Sequence, residues 1–280
     1  MLHLRGPFGP LLILLCSVFG PCHAGNGPDI RSTSALVLDT HSSAVLFARN
    51  PDKAAPIASI TKLMTSLVVV EARQPMDEII TINAADLQAT RGQSRLAVGM
   101  KLSRGELMNL ALMASENRAA QALGRSYPGG LTALIAAMNA KAAALGMTRS
   151  HFVEPTGLSS DNVASPEDLS RLVMAAAEEP ELRRYSTETQ HTIRTGKRAS
   201  NFVNTNSLVR NPNWSIALQK TGYIATAGRC LVMKTVIAGR DVIIVLLNSF
   251  GKYTRVADAQ RIRTWMENSD AWRESLLRAG

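Results

Sequence analysis

Strand-like segments stand at both ends of this chain, and a long helical stretch separates them. Residues 34–39 and 44–48 read as two strands joined by a turn over 40–43, the pattern of a hairpin. Near the other end, residues 214–221 alternate, while 230–238 and 241–248 are apolar runs separated by Gly239-Arg240. Between about Glu78 and Pro180 the pattern is mainly helical. Strands that bracket a helical middle imply an antiparallel sheet covered by helices, with a helical lobe inserted into it: an α/β fold of the α+β type.

The helices have identifiable starts and stops. Residues 63–70 are nearly all apolar and read as a buried helix entered just before Ser59, with Pro75 marking its end. Ser103 precedes Glu106 by three residues, a capping box for a helix over 106–114. Ser115-Glu116-Asn117 stops that helix, and another begins at Arg118. An Ala-rich helix over 131–145 is closed by Gly146, and Ser165-Pro166 opens one reaching about Glu178. A last helix over 253–267 offers Val256, Ile262, Trp265 and Met266 to the sheet.

The chain's start carries an address. His3 and Arg5 precede an apolar run over 11–19, and Cys22-His23-Ala24 follows with small residues where a signal peptidase reads. The run is too short to span a bilayer. Residues 1–24 are expected to be a cleaved secretory signal, 25–33 a linker, and 34–270 one catalytic domain with its helical lobe over about 75–200. Residues 271–280 form a tail, in which Trp272, Leu276 and Leu277 offer only a short apolar surface for peripheral contact with the envelope. The mature chain keeps Cys230 alone, so no internal disulfide is expected, and the signal predicts a periplasmic compartment. The net charge of +9 favours an anionic partner, but no run of five basic residues exists, which argues against nucleic acid.

The candidate chemistry starts at Ser59 and Lys62. Residues three apart share a helical face, so the amine reaches the hydroxyl. A serine needs a base beside it, and a lysine serves if burial or nearby cations keep it neutral. The same spacing at Ser249 and Lys252 contains a glycine and ends a strand-like run, so it reads as accidental. Two further motifs stand in order: Ser115-Glu116-Asn117 at a helix end and Lys220-Thr221-Gly222 in a C-terminal strand. Ser160-Asp161-Asn162 matches the middle motif more literally, but it lies in a loop rather than at the end of an apolar helix. There is no Gly-x-Ser-x-Gly elbow, His-Glu-x-x-His, P-loop or dinucleotide glycine pattern, and neither a metal nor another cofactor is expected.

This triple, in this context, resembles the low-molecular-mass penicillin-binding proteins, the serine D-alanyl-D-alanine peptidases. The likeness runs from about Ser34 to Trp265. Residues 56–65, 110–120, 152–158, 218–223 and 250–253 look most like the D-alanyl-D-alanine endopeptidase branch. The fold implied is that of the β-lactamase and DD-peptidase group. The partners implied are peptidoglycan stem peptides and their cross-links, with β-lactam antibiotics as covalent inhibitors.

By that resemblance Ser59 attacks a D-Ala carbonyl, Lys62 takes its proton, and Ser115 carries the proton toward the departing amine. Asn117 holds Lys62 and the substrate amide. Lys220 and Thr221 bind the carboxylate beside the scissile bond, and Gly222 leaves space for the substrate backbone. The N–H groups of Ser59 and Tyr223 form the oxyanion hole. A terminal D-Ala and a diaminopimelate cross-link both present a carboxylate there, so D-alanyl-D-alanine carboxypeptidase action stays open beside endopeptidase action. A β-lactamase using Glu154 as its deacylating base is a more remote alternative, and a loop carboxylate making structural hydrogen bonds is the preferred reading of Glu154. A non-catalytic wall-binding protein is the remaining alternative, against which the three intact motifs argue.

Overall fold

The computed structural model describes residues 27–90, 94–195, 198–268, 270 and 272–277. The expected signal peptide lies outside these residues. β1 (Ser34–Asp39) and β2 (Val45–Arg49) form the expected hairpin. A two-residue strand, β3 (Ala55–Pro56), and a 3-10 turn (Ala58–Ile60) lead into α1 (Thr61–Glu71). α1 is buried from Thr61 to Val69, as its unbroken apolar run requires. β4 (Ile79–Thr81), α2 (Ala84–Thr90) and β5 (Lys101–Ser103) follow. α3 (Arg104–Met113) opens on the capping box: Glu106 N donates to Ser103 Oγ at 3.1 Å, and Ser103 N donates to Glu106 Oε2 at 2.7 Å. Next come α4 (Asn117–Arg125), α5 (Gly130–Ala144), β6 (Val163–Ala164), α6 (Pro166–Glu178) and α7 (Pro180–Thr187). The chain then returns to strands: β7 (Gln190–Thr195), β8 (Arg198–Val203), β9 (Ser215–Ile224), β10 (Gly228–Ile237) and β11 (Arg240–Ser249). It ends in α8 (Thr254–Asn268) and α9 (Arg273–Leu277).

One five-stranded antiparallel sheet joins the two ends, in the order β2-β1-β11-β10-β9. β1 pairs with β11 from Ser34 opposite Leu247 to Asp39 opposite Val242. Successive residues of a strand face opposite sides, and here both sides are apolar. Leu36, Leu38, Val232, Ile243, Val245 and Leu247 join the core shared with α1, α3 and α6. Ala35, Val37, Leu231, Met233, Ile244 and Leu246 face the other way, toward Ala259, Ile262 and Met266 of α8. A sheet apolar on both faces needs a layer on each, which accounts for the helical lobe on one side and α8 on the other. Buried Asp258 of α8 clamps the start of the domain, accepting from Ser32 N at 2.7 Å and Ser32 Oγ at 2.6 Å.

The helical lobe departs from expectation in two places. Its helices are interrupted by the pair β4–β5, and a hairpin, β7–β8, closes it. The hairpin is mostly polar; among the described residues Ile193 and Phe202 are its buried ones, too few to give a strand signal. The helix after the middle motif starts one residue early, at Asn117, with the Glu116 side chain capping it.

Candidate active site

Ser59 sits in the 3-10 turn, two residues before α1 proper. Ala58 holds φ 48, a left-handed conformation that costs a residue with a Cβ about 1 kcal/mol or more. Two glycines grip this turn from either side. A Cβ on Gly157 would overlap the Ala58 carbonyl oxygen and stand 2.8 Å from Ser59 N. One on Gly222 of β9 would stand 2.9 Å from Ile57 O and 3.0 Å from Ser59 N. Space at Gly222 is therefore taken by the chain's own Ser59 turn.

Lys62, on the first turn of α1, is fully buried. Its Nζ lies 2.8 Å from Ser59 Oγ, 2.7 Å from Asn117 Oδ1 and 2.6 Å from the Thr156 carbonyl oxygen. Burial pushes its pKa down to about 7, against the opposing pull of Glu154 and Glu116. A neutral amine has two N–H bonds and one lone pair. Asn117 Oδ1 and Thr156 O can only accept, so they take both hydrogens. The lone pair is then left facing the Ser59 hydroxyl, which is the arrangement of a base and its nucleophile.

Lys220 of β9 is also fully buried, and its Nζ donates to Ser115 Oγ at 2.9 Å and to Thr221 O at 2.8 Å. Burial, then Lys62, then Arg255 hold it well below the usual lysine range. Ser115, at the end of α3, has φ 60, a second strained backbone at the site. The Thr221 hydroxyl is fixed by Thr205 Oγ1 at 2.6 Å, and Thr205 N is anchored to Met113 O at 3.1 Å. Tyr223 is exposed at the rim.

Most of one curated relative aligns with this chain: the D-alanyl-D-alanine endopeptidase of Pseudomonas aeruginosa is 48% identical over 242 residues, covering 85% of this chain and 78% of the relative. The D-alanyl-D-alanine endopeptidase of Escherichia coli is 44% identical over 269 residues, covering 95% and 86%. The peptidase S11 family, described as D-alanyl-D-alanine carboxypeptidase, matches residues 22–251. The chain belongs to the peptidase S11 family. Among solved structures, the Streptomyces K15 DD-transpeptidase superposes with a TM-score of 0.81 at 25% identity, covering 87% of this chain and 99% of that one. A Mycobacterium tuberculosis D-alanyl-D-alanine carboxypeptidase gives 0.78 at 26%, covering 88% and 94%. The DD-peptidase fold is thereby established.

All eight sequence-predicted site residues of this S11 peptidase lie together around the Ser59 turn or on the β9 segment beside it. The other candidates separate. Ser249 bonds to Ser32 at 2.6 Å, while Lys252 lies over the ring of Tyr253. Asn162 is buried and structural, donating to Thr61 Oγ1 at 3.2 Å and Glu154 Oε1 at 2.7 Å. Glu154 also accepts from Thr156 N, Thr156 Oγ1 and Gly157 N, each at 2.6 Å. Its two oxygens thus hold the loop that presents Thr156 O to Lys62, in keeping with the structural reading of Glu154. Sequence reasoning missed Thr156, Gly157, Thr205 and Arg255. Arg255, on α8, donates to Gly222 O at 3.1 Å. Burial, then the charge of Arg229, hold Arg255 below the usual guanidinium range.

Proposed function

We propose that this serine-type D-alanyl-D-alanine peptidase cleaves D-Ala–diaminopimelate cross-links of peptidoglycan in the periplasm, after loss of residues 1–24. The observation that carries the chemistry is the buried Lys62 amine, whose two acceptor-only partners leave its lone pair for Ser59. Ser59 Oγ attacks the D-Ala carbonyl as Lys62 takes its proton. The Ser59 and Tyr223 N–H groups receive the oxyanion; one such donor is typically worth about a hundred- to a thousandfold in rate. Ser115, hydrogen-bonded to Lys220, passes its hydroxyl proton to the departing amine and regains one from Lys62, which returns the proton taken from Ser59 and restores the neutral base. Asn117 orients Lys62 and the substrate amide. Lys220, Thr221 and Arg255 take the carboxylate on the leaving side. Water then enters where the amine stood and hydrolyses the acyl-enzyme.

The endopeptidase names of the relatives at 48% and 44% identity support the preference for cross-links over terminal D-Ala. A β-lactam follows the same first step but keeps its opened ring tethered, which blocks water. Because Glu154 is occupied by its own loop, turnover of that adduct should be slow. Peptide mapping of the mature protein after penicillin treatment tests the assignment. The adduct is expected on Ser59; an adduct elsewhere, or none, refutes it.

A further inference from the structure

The site end of the sheet carries more positive charge than one carboxylate requires. In register, Arg229 of β10 stands opposite both Tyr223 of β9 and Ser249 of β11. Its guanidinium lies 4.5 Å from the centroid of the Tyr223 ring. Three residues beyond Ser249, the Lys252 amine lies 5.4 Å from the Tyr253 ring centroid. Tyr223, Phe250 and Tyr253 are 56%, 74% and 70% exposed, three large rings left in the open.

Among the described residues, no carboxylate pairs with Lys220, Arg229, Lys252 or Arg255. Elsewhere the arginines find acids: Arg104 with Glu78, Arg125 with Asp86, Arg240 with Asp39 and Arg261 with Asp258. Arg229 is close enough to Arg255 to lower its proton affinity, so the two repel in the empty protein. An anion between or beside them relieves that repulsion. Buried Lys220 and half-buried Arg255, the latter bonded to Gly222 O of the catalytic strand, suffice for the carboxylate next to the scissile bond. Arg229 is left over and pre-oriented by an aromatic ring, which lowers the entropy lost on binding.

The leaving groups differ in charge. A single departing D-alanine has one carboxylate, already taken. A departing stem peptide has further carboxylates along its length. We propose that Arg229, held over Tyr223, is a second carboxylate subsite that takes a distal carboxylate of the leaving peptide and so favours cross-link cleavage over release of a terminal residue. Lys252, over Tyr253, extends the same cationic end. This inference rests on the cross-link reading above.

The test uses two synthetic cross-linked dimers that differ in one group: the distal carboxylate of the leaving peptide is free or amidated. A linear pentapeptide is the third substrate. Wild type is expected to favour the free dimer over the amidated one by about two- to fivefold in kcat/KM, the upper range for one partly exposed ion pair. Arg229→Gln should cleave both dimers at the rate wild type shows on the amidated one, and Arg229→Lys should regain part of the preference. Equal rates of wild type on both dimers would overturn the inference while leaving the cross-link reading intact. So would a preference that survives in Arg229→Gln, or an equal fall on all three substrates. Wild type that cleaves the pentapeptide but neither dimer would refute the cross-link reading itself, and the inference with it.

Discussion

Penicillin acylation should rise about tenfold between pH 6 and pH 8 and then level off. The perturbation is the charge on Lys62, whose pKa is lowered from 10.5 to about 7. Below that value Nζ is an ammonium that donates to Ser59 Oγ and cannot take its proton. Above it the lone pair is available. With a pKa of about 7 the neutral fraction is ~0.1 at pH 6 and ~0.9 at pH 8, a ratio of about ten. The penicillin carboxylate stays ionised across this range, so the profile reports the enzyme. Glu116 opposes the shift. Glu116→Gln keeps an oxygen to cap α4 but removes the charge, and should move the acid limb to lower pH. The assay is the second-order rate of labelling by a fluorescent penicillin at constant ionic strength. A flat profile, or one that falls from pH 6 to pH 8, would refute Lys62 as the base. The same pKa fixes a stability trend. The unfolded chain holds this proton up to about 10.5, so the Lys62 contribution to stability rises with pH between about 7 and 10.5.

Three substitutions test the surroundings. Gly157→Ala should lower the unfolding temperature and abolish acylation: φ is +79, and the added methyl would overlap the Ala58 carbonyl, a strain of at least about 2 kcal/mol. A thermal melt unchanged from wild type would show that the Ser59 turn has room the geometry denies. Thr205→Val removes the hydroxyl bonded to Thr221 at a cost of about 1 kcal/mol, and should slow acylation several-fold with the fold retained. Lys220→Ala should impair both penicillin labelling and stem-peptide cleavage; unchanged labelling would remove its carboxylate role.

What sequence made legible here is local. Ser59 and Lys62 lie within one turn, so spacing alone brings them together. The capping box at Ser103 and the Pro166 helix start are likewise short-range signals. Strand assignments held because both faces of the sheet are apolar, which makes β10 and β11 strong runs. The loop over residues 154–157 was legible only as a family likeness. Its contribution to the site is a carbonyl oxygen and a missing Cβ, and neither has a side-chain signature. Thr205, in the bend after β8, and Arg255, on α8, reach β9 only through the tertiary fold, and their residue types are ordinary on any surface. The close approach of Gly222 to the Ser59 turn is a tertiary contact, which no local sequence pattern announces.

The central claim is that Ser59 opens cross-links. Mature protein and its Ser59→Ala variant, each incubated with purified cross-linked muropeptide dimers, should give different mass spectra. The account predicts that the wild type converts dimer to two monomeric stem peptides with uptake of one water, and that Ser59→Ala leaves the dimer intact. Dimer cleaved equally by Ser59→Ala, or dimer untouched by the wild type, would contradict it.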